Sequence, residues 1–318
     1  MSEWLVERGI GETRAALIDN DEIIEARIQL EGVIGAGSVV PARLVDIGIN
    51  GRNAIALAQG GIEYLLPQGA AGVTQGATLN IEVTREAIPG AEPSKRPLAK
   101  TTPAQPKDAP ALAGRELPFA GSADTLGKSG WNDLLEGASS GIVGFAGGEL
   151  HISPTPAMTL IDVDGYLPPD QLVVLGAFAA ARSIRRLDIG GSIGIDLPTC
   201  RSKAARQQAA AALDSMLPQP FERTSVNGFG FVQIVRPRLR PSLVELAQDR
   251  APFEARALLR RAAFEPPGPK LLIAPPAVIA VLEKRNDWLG ALARRIGGAV
   301  ELRPDPALPM SGGYATSL

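Results

Sequence analysis

Apolar and polar residues alternate in short runs through the first 88 residues, and glycine or proline separates most runs from the next. Alternation with a period of two is typical of strands that bury one face. We therefore predict an all-β region, most simply a hairpin that leads into a small barrel. The predicted strands lie in TRAALID, EIIEARIQL, GSVVPARLVDIGI, NAIALAQGGIEYLL and GATLNIEVTREAI.

Strands and helices alternate in the second half of the chain. AMTLIDVD and GSIGIDL have the composition of buried strands, and DQLVVLGAFAAARSIRRL between them has helical spacing after the start signal Pro168-Pro169-Asp170. Such a unit is right-handed in nearly all proteins and places its two strands parallel in one sheet. Further strands are predicted in GELHIS, GFGFVQIVR, KLLIA and AVELRP, and further helices in RSKAARQQAAAALDSML, SLVELAQ, FEARALLRRAAF, PAVIAVLEKR and WLGALARRIG. The predicted fold class is α/β, or α+β over the whole chain.

Proline marks the boundaries between these regions. Six prolines lie between Pro89 and Pro110 without apolar periodicity, which predicts a linker or an extended strap. Pro266 to Pro269 mark a second break. The predicted division is a hairpin at 1–34, a barrel at 35–88, a Pro-rich linker at 89–117, an α/β core at 118–265 and a small C-terminal domain at 266–318.

Composition narrows the class of protein. The 318 residues are 45% apolar and 21% charged, and no apolar run approaches the roughly 18 to 20 residues that span a bilayer. The start, MSEWLVERGIGETR, is charged where a signal peptide would be apolar, so we expect a cytoplasmic protein without membrane contact. With one cysteine, Cys200, and one histidine, His151, an internal disulfide and a Cys/His metal cluster are excluded. Both residues are interpreted as structural.

Charge is distributed unevenly, although the net charge is only −2. Residues 1–70 hold ten Asp or Glu against five Lys or Arg, whereas residues 182–261 hold fourteen Lys or Arg against seven Asp or Glu. A basic half with a small acidic cluster suits a metal site that handles a polyanion. Solvated helix faces are the alternative. In particular, Arg256, Arg260 and Arg261 share one helix face. This face is interpreted either as an RNA track, meaning a surface along which RNA binds, or as a solvated face.

Two aspartates occupy matching places in the strand–helix–strand unit. Asp162 and Asp196 both follow Ile near the carboxyl end of a strand, where open α/β sheets bind ligands. Two carboxylates about 4 Å apart repel by roughly 4 kcal/mol at an effective dielectric near 20, which a bridging cation offsets. Mg²⁺ suits one or two carboxylates plus water, and Asp164 supplies a third oxygen. The plainer interpretation is that these residues form turns or helix caps.

Basic residues accompany the aspartates along the chain. Arg guanidinium groups bind phosphate in a bidentate manner, and a metal with nearby arginines is the set that phosphodiester hydrolysis needs. The candidate phosphate-binding residues are Arg201, Lys203 and Arg206 in the helix after Asp196, and Arg236, Arg238 and Arg240 in the run VRPRLRPSL.

The order and spacing of these motifs resemble the catalytic core of the ribonuclease E/G endoribonucleases. The core resemblance is carried by TLIDVDG, RRLDIGGSIGIDL and GFGFVQIVRPRLRPSL. ETRAALIDNDEIIEARI resembles the opening hairpin of the family, LVDIG and GVTQGATLNIEVTREAI resemble its S1 barrel, and KLLIAPPAVIAVLEKR resembles its terminal small domain. The resemblance implies an S1/OB-like barrel followed by a DNase I-like catalytic core.

By this resemblance Asp162 and Asp196 are the ligands of Mg²⁺, or of Mn²⁺ in its place, and Asp164 stands where the family has Asn. Arg236 and Arg238 are implied to lie close to the metal site, and Arg85 joins the predicted RNA contacts. The implied activity is cleavage of single-stranded, AU-rich RNA in RNA processing or decay. The products have 5′-phosphate and 3′-hydroxyl ends.

The sequence departs from the family pattern in several places. By resemblance the chain is a shortened member of the family. It has no Arg-Thr sensor for the RNA 5′ end and no Cys-Pro-x-Cys zinc link. Without the zinc link we expect a monomer or a weak dimer. Pro156 stands where the family has Glu, and Leu44 replaces a base-stacking Phe. An RNA-binding protein with a weakened catalytic site is therefore one alternative. A metal-dependent phosphatase for small phosphoesters is another.

Overall fold

The computed structural model describes residues 2–90, 95–119 and 123–318. Within these residues the chain is mixed α/β, with a closed five-stranded barrel and three open sheets, as the sequence predicts. Residues 91–94 of the predicted linker and 120–122 at the start of the predicted core lie outside the described residues. The division into five domains stays a prediction.

The strands and helices are numbered here in chain order. The strands are β1 (Glu3–Arg8), β2 (Glu12–Asp19), β3 (Glu22–Leu30), β4 (Val39–Asp46), β5 (Ala54–Ala58), β6 (Glu63–Leu66), β7 (Thr78–Arg85), β8 (Leu98–Thr101), β9 (Arg115–Leu117), β10 (Ile142–Phe145), β11 (Gly148–Pro154), β12 (Thr159–Gly165), β13 (Gly191–Asp196), β14 (Glu222–Arg223), β15 (Phe231–Arg236), β16 (Lys270–Ala274), β17 (Val300–Pro304) and β18 (Tyr314–Ser317). The helices are α1 (Thr125–Lys128), α2 (Trp131–Ser140), α3 (Pro169–Arg186), α4 (Lys203–Met216), α5 (Leu243–Leu246), α6 (Arg250–Phe264), α7 (Pro276–Glu283) and α8 (Asn286–Ile296).

The N-terminal sheet has the strand order β3-β2-β1-β9. Its predicted hairpin joins β2 to β3 through Asn20 and Asp21, whose φ angles are 48° and 63°. Two consecutive positive φ angles match the twist of a two-residue hairpin turn, and Asn and Asp tolerate them better than most residues. β1 extends the hairpin, and β9 pairs in parallel with β1.

The barrel closes through a strand that the sequence does not predict. The strand order is β4-β5-β6-β8-β7, so β8 lies between β6 and β7. Residues 89–117, predicted as a linker or an extended strap, contain β8 and β9, which the sequence pattern does not predict. Both strands are too short, at four and three residues, to show a period of two among the flanking prolines.

The six-stranded sheet has the order β10-β11-β12-β13-β15-β14 and carries the two aspartates. The predicted unit is confirmed, because α3 connects β12 to β13 and these strands pair in parallel. One face of the sheet buries residues such as Ile161, Ile195 and Ile234 in a core shared with α3 and the N-terminal sheet. The opposite face is open to solvent, because Leu160, Asp162 and Asp164 alternate with the buried positions and are exposed.

Buried ion pairs join the N-terminal sheet to α6. Arg260 Nε lies 2.8 Å from Glu7 Oε1, and Arg256 Nε lies 2.7 Å from Glu12 Oε2. Arg14 of β2 contacts both carboxylates, at 2.8 Å and 2.7 Å. Both interpretations of Arg256 and Arg260, an RNA track or a solvated face, are therefore wrong.

The C-terminal region forms a three-stranded sheet with the order β17-β16-β18. Its core includes Leu258 and Leu259 of α6, Ile279 of α7 and Leu292 of α8, so α6 contributes to the packing of this region as well. Among the described residues, no helix is long and apolar enough to cross a membrane.

Candidate active site

Asp162 and Asp196 lie side by side on neighbouring strands. The parallel register pairs Thr159 with Ile193, and three residues later it pairs Asp162 with Asp196. Neighbouring strands are about 4.8 Å apart, so the two carboxylates share one short stretch of the sheet. Both side chains are exposed on the open face. The predicted juxtaposition of these two aspartates is confirmed.

Glu149 and His151 lie beside these aspartates, and the sequence interpretation did not include them in the site. β11 pairs His151 with Asp162 and Glu149 with Asp164. The Nε2 atom of His151 is 3.0 Å from Glu149 Oε1 and 4.0 Å from Asp164 Oδ2. The alternation in GELHIS places Glu149 and His151 on one face of β11, and the register with β12 brings that face beside Asp162 and Asp164.

A shallow cavity of about 380 Å³ opens at the carboxyl ends of β12 and β13. Its polar side chains are the carboxylates of Asp162, Asp164 and Asp196. The remaining lining residues are apolar, glycine or proline: Val163, Gly165, Leu167, Pro169, Leu172, Leu197 and Pro198. The lining therefore holds carboxylates without a basic side chain, so a phosphate group entering it meets negative charge unless a cation is bound.

The basic residues of α4 and the loop before it lie nearest in sequence to the cavity. Arg201 and Lys203 follow Asp196 by five and seven residues, and both are exposed. Arg206 is half-buried and donates from Nη1 to the carbonyl oxygen of Cys200 over 2.6 Å. Arg201 and Lys203 therefore have free ends for a polyanion that approaches this edge of the sheet.

The run from Arg236 to Arg240 lies at the opposite end of the sheet. Antiparallel pairing places Asp196 opposite Phe231 but Gly191 opposite Arg236, five residues away along the strand. At about 3.3 Å per residue this separation is roughly 17 Å. The expectation that Arg236 and Arg238 lie close to the two aspartates is therefore wrong.

These arginines face the barrel and buried carboxylates instead. Arg238 forms an ion pair with Glu245, and the backbone N–H of Glu86 donates to the carbonyl oxygen of Leu239 over 2.9 Å. Arg236 donates from Nη1 to the carbonyl oxygen of Ile189, and burial lowers the pKa of its guanidinium. The run thus helps to join the barrel to the core.

Arg240 and Arg85 belong to the same region. Arg240 lies near the carboxylates of Asp188 and Glu86, and Arg85 donates from Nη2 to the carbonyl oxygen of Arg96 over 2.6 Å. Burial, together with nearby Arg238, lowers the pKa of the Arg85 guanidinium. RNA binding by these residues stays a prediction.

Leu44 and Cys200 are both internal. Leu44 is fully buried in the barrel core, so its side chain has no free surface for a base. The thiol of Cys200 donates to Asp170 Oδ1 over 2.9 Å. Burial and the Asp170 carboxylate raise the pKa of this thiol, which disfavours the reactive thiolate.

The loop that reaches β15 depends on glycine at position 230. Gly230 has a φ of +98°, and a Cβ there would lie 2.0 Å from the carbonyl oxygen of Leu197. We expect Gly230→Ala to lower the free energy of unfolding by about 2 kcal/mol, because positive φ alone costs about 1–2 kcal/mol for other residues. Urea unfolding measures this change.

Gly228→Ala is the matched control, because no atom lies within 4 Å of a Cβ built at Gly228. A substitution into open space is expected to change stability by less than about 0.5 kcal/mol. Equal losses of unfolding free energy in the two variants would show that the close approach to Leu197 is not the reason why position 230 requires glycine.

The donor set fits a cation that keeps most of its own water. Among the described residues, no three His, Cys, Asp or Glu side chains are grouped closely enough to form a complete metal site. Asp162 and Asp196 nevertheless present carboxylate oxygens from directly paired positions. Mg²⁺ is commonly held in this way, through one or two carboxylates and several waters.

Comparison with known proteins supports a relationship to the ribonuclease E/G family. No family model matches the chain. Ribonuclease G of Escherichia coli (strain K12) is 30% identical to it over 119 residues, and the match covers 34% of this chain and 24% of that protein. Ribonuclease G of Salmonella typhimurium (strain SL1344) is 29% identical over a segment of the same length. The chain thus spans about a quarter of the length of these curated relatives, namely 24% of each.

Proposed function

We propose that the protein is a Mg²⁺-dependent endoribonuclease that cleaves single-stranded RNA. The observation that carries the proposal is the direct pairing of Asp162 with Asp196 on an open sheet face. The similarity of part of the chain to ribonuclease G favours RNA as the substrate. We further propose that the closed barrel is S1-like and that the six-stranded sheet belongs to a DNase I-like core.

In this proposal each side chain of the site has a distinct task. Asp162 and Asp196 hold the metal ion, with Mn²⁺ as a substitute for Mg²⁺. When bound, the ion activates water and offsets charge on the phosphoryl oxygens, which the carboxylate-lined cavity itself cannot do. Asp164, exposed two residues along the same face, orients water or the scissile phosphate. Arg201, Lys203 and Arg206 guide the RNA backbone towards the carboxyl edge of the sheet.

The products and the sequence preference follow from the family resemblance. We propose cleavage within AU-rich segments, with 5′-phosphate and 3′-hydroxyl ends, and no dependence on the 5′ end of the RNA. An RNA-binding protein with a weakened catalytic site is the second candidate. It is favoured by the cavity lining, which has no basic side chain to hold a phosphate.

Cleavage of an end-labelled, AU-rich oligoribonucleotide tests the proposal directly. We expect internal cuts with Mg²⁺, no cuts with EDTA, and restored cutting when Mg²⁺ is returned in excess, because two carboxylates alone do not activate water. Equal rates on 5′-hydroxyl and 5′-phosphate substrates are expected.

A C-rich oligonucleotide of the same length serves as the sequence control, and enzymatic labelling of the new ends identifies the products. Binding of the RNA without any cut in Mg²⁺ or Mn²⁺ would reject the nuclease and favour the RNA-binding protein.

A further inference from the structure

Two aromatic side chains are almost fully exposed beside the carboxylate cavity. Tyr166 is 84% exposed and Phe229 is 80% exposed, whereas aromatic residues such as Trp131 and Tyr64 are buried in the cores. A single exposed aromatic residue is unremarkable on a protein surface. Two such residues beside the same cavity are informative, because exposed rings are the groups on which unpaired bases stack.

Tyr166 directly follows β12, and Phe229 lies in the turn that leads into β15. Tyr166 comes two residues after Asp164, and the next residue, Leu167, lines the cavity. Phe229 comes two residues before Phe231, which pairs with Asp196. One ring therefore belongs to the β12 side of the cavity and the other to the β15 side.

The turn that carries Phe229 is held firmly by hydrogen bonds. The side-chain oxygen of Asn227 accepts from the backbone N–H groups of Phe229 and Phe231, at 2.9 Å and 3.0 Å. The hydroxyl of Thr199 donates to the carbonyl oxygen of Phe229 over 3.2 Å. This turn thus rests on the segment directly after Asp196, and its ring needs little further ordering to bind a ligand.

The backbone of Tyr166 is also held. Its N–H donates to the carbonyl oxygen of Gly147 over 3.2 Å, and Leu167 packs against the main core. Thus both rings are exposed although the backbone at each position is fixed. An exposed ring contributes no burial to folding, whereas a ring on a hydrogen-bonded backbone loses little entropy when it binds a ligand, which favours a ligand-binding role for these two positions.

We propose that Tyr166 and Phe229 are stacking positions for two unpaired bases of the RNA, one on each side of the phosphate that enters the cavity. The inference rests on the proposed function in taking RNA as the ligand of this cavity. Stacking supplies the affinity that the cavity lining lacks, since no basic side chain lines it. It also selects single strands, because bases within a duplex do not expose their faces.

Binding of a fluorescein-labelled, single-stranded oligoribonucleotide in EDTA separates stacking from cleavage. We expect Tyr166→Ala and Phe229→Ala each to weaken binding about tenfold, which corresponds to about 1.4 kcal/mol and lies within the range measured for base stacking. Tyr166→Phe and Phe229→Tyr keep a ring and are expected to bind as the wild type does. Tyr314→Ala removes a half-exposed ring on β18 and is the matched control.

The fluorescence of 2-aminopurine, placed in turn at each position of the oligonucleotide, reports stacking itself. Quenching at two positions in the wild type, lost at one position in each alanine variant, supports the proposal. Unchanged binding and quenching in both alanine variants would overturn it, even if the wild type cleaves RNA. Ring-dependent binding without cleavage would keep the stacking proposal and reject the nuclease. No binding by the wild type would overturn the stacking proposal.

Discussion

Asp162→Asn is expected to lower the rate of RNA cleavage by about 10³-fold, equivalent to about 4 kcal/mol of the activation barrier. The substitution removes one of the two carboxylates that are paired across β12 and β13, so the proposed metal ion loses half of its protein ligands. Because Asp162 is exposed, the free energy of unfolding is expected to change by less than about 0.5 kcal/mol. Initial cleavage rates in saturating Mg²⁺ and urea unfolding measure the two quantities.

Asp164→Asn makes the same chemical change two residues away, and Asn keeps a side-chain oxygen that can orient water or the scissile phosphate. Asp164 is 68% exposed, and Asn stands at this position in the ribonuclease E/G pattern. We expect this variant to cleave within about tenfold of the wild type. Asp196→Asn is expected to match Asp162→Asn, and the double variant to be little worse, since groups that act as a unit are not additive. A rate for Asp162→Asn within about tenfold of the wild type would reject the metal-binding role of the pair.

Arg260→Met is expected to lower the free energy of unfolding by about 3–5 kcal/mol. Arg260 is 2% exposed, and its guanidinium contacts Glu7 Oε1 at 2.8 Å and Asp124 Oδ1 at 2.6 Å. Removal of one partner from a buried ion pair leaves the other charge buried without compensation. Urea unfolding measures this loss of stability.

Arg8→Met is the control for loss of charge alone, because the pair between Arg8 and Glu116 is 58% and 63% exposed. An exposed pair contributes about 1 kcal/mol or less. If the two variants lost similar stability, the ion pairs between the N-terminal sheet and α6 would not be what joins these elements.

The same buried ion pairs determine how stability changes in acid. Burial raises the pKa of Asp124, but hydrogen bonds and charge from Arg260 outweigh burial and hold the pKa below its usual value. Burial also raises the pKa of Glu12, but charge and hydrogen bonds from Arg14 and Arg256 outweigh burial and lower the pKa. A lowered pKa in the folded state stabilises the protein above the ordinary pKa, and this stability is lost as the pH falls through the lowered value.

The local pattern of the sequence was sufficient to predict the strands and the helix that carry the candidate site. TLIDVDG, the helix after Pro168 and GSIGID each have a clear period, and the crossover rule makes their strands parallel. The matching places of Asp162 and Asp196 then predict that the two side chains meet. The structure confirms this placement, while the metal-binding role of the pair stays a proposal.

Elements with short or mixed patterns were missed. β8, β9 and β10 have four residues or fewer, and α2 lies in a short segment without a clear boundary. Glu149 and His151 were missed for a different reason. Their alternation was visible, but their position beside Asp162 depends on the register with which β11 pairs.

Sequence by itself determined the strand–helix–strand unit, the all-β start of the chain and the pairing of Asp162 with Asp196, because each depends on local periodicity and on one chiral connection. Only the tertiary structure decided which charges face solvent. Arg256 and Arg260 have the spacing of a polar helix face, yet the N-terminal sheet covers them with Glu7 and Glu12. Arg236 lies far from Asp196, because an antiparallel partner reverses the direction of the chain. Contacts between residues distant in sequence leave no local period, so charge patterns alone do not reveal them.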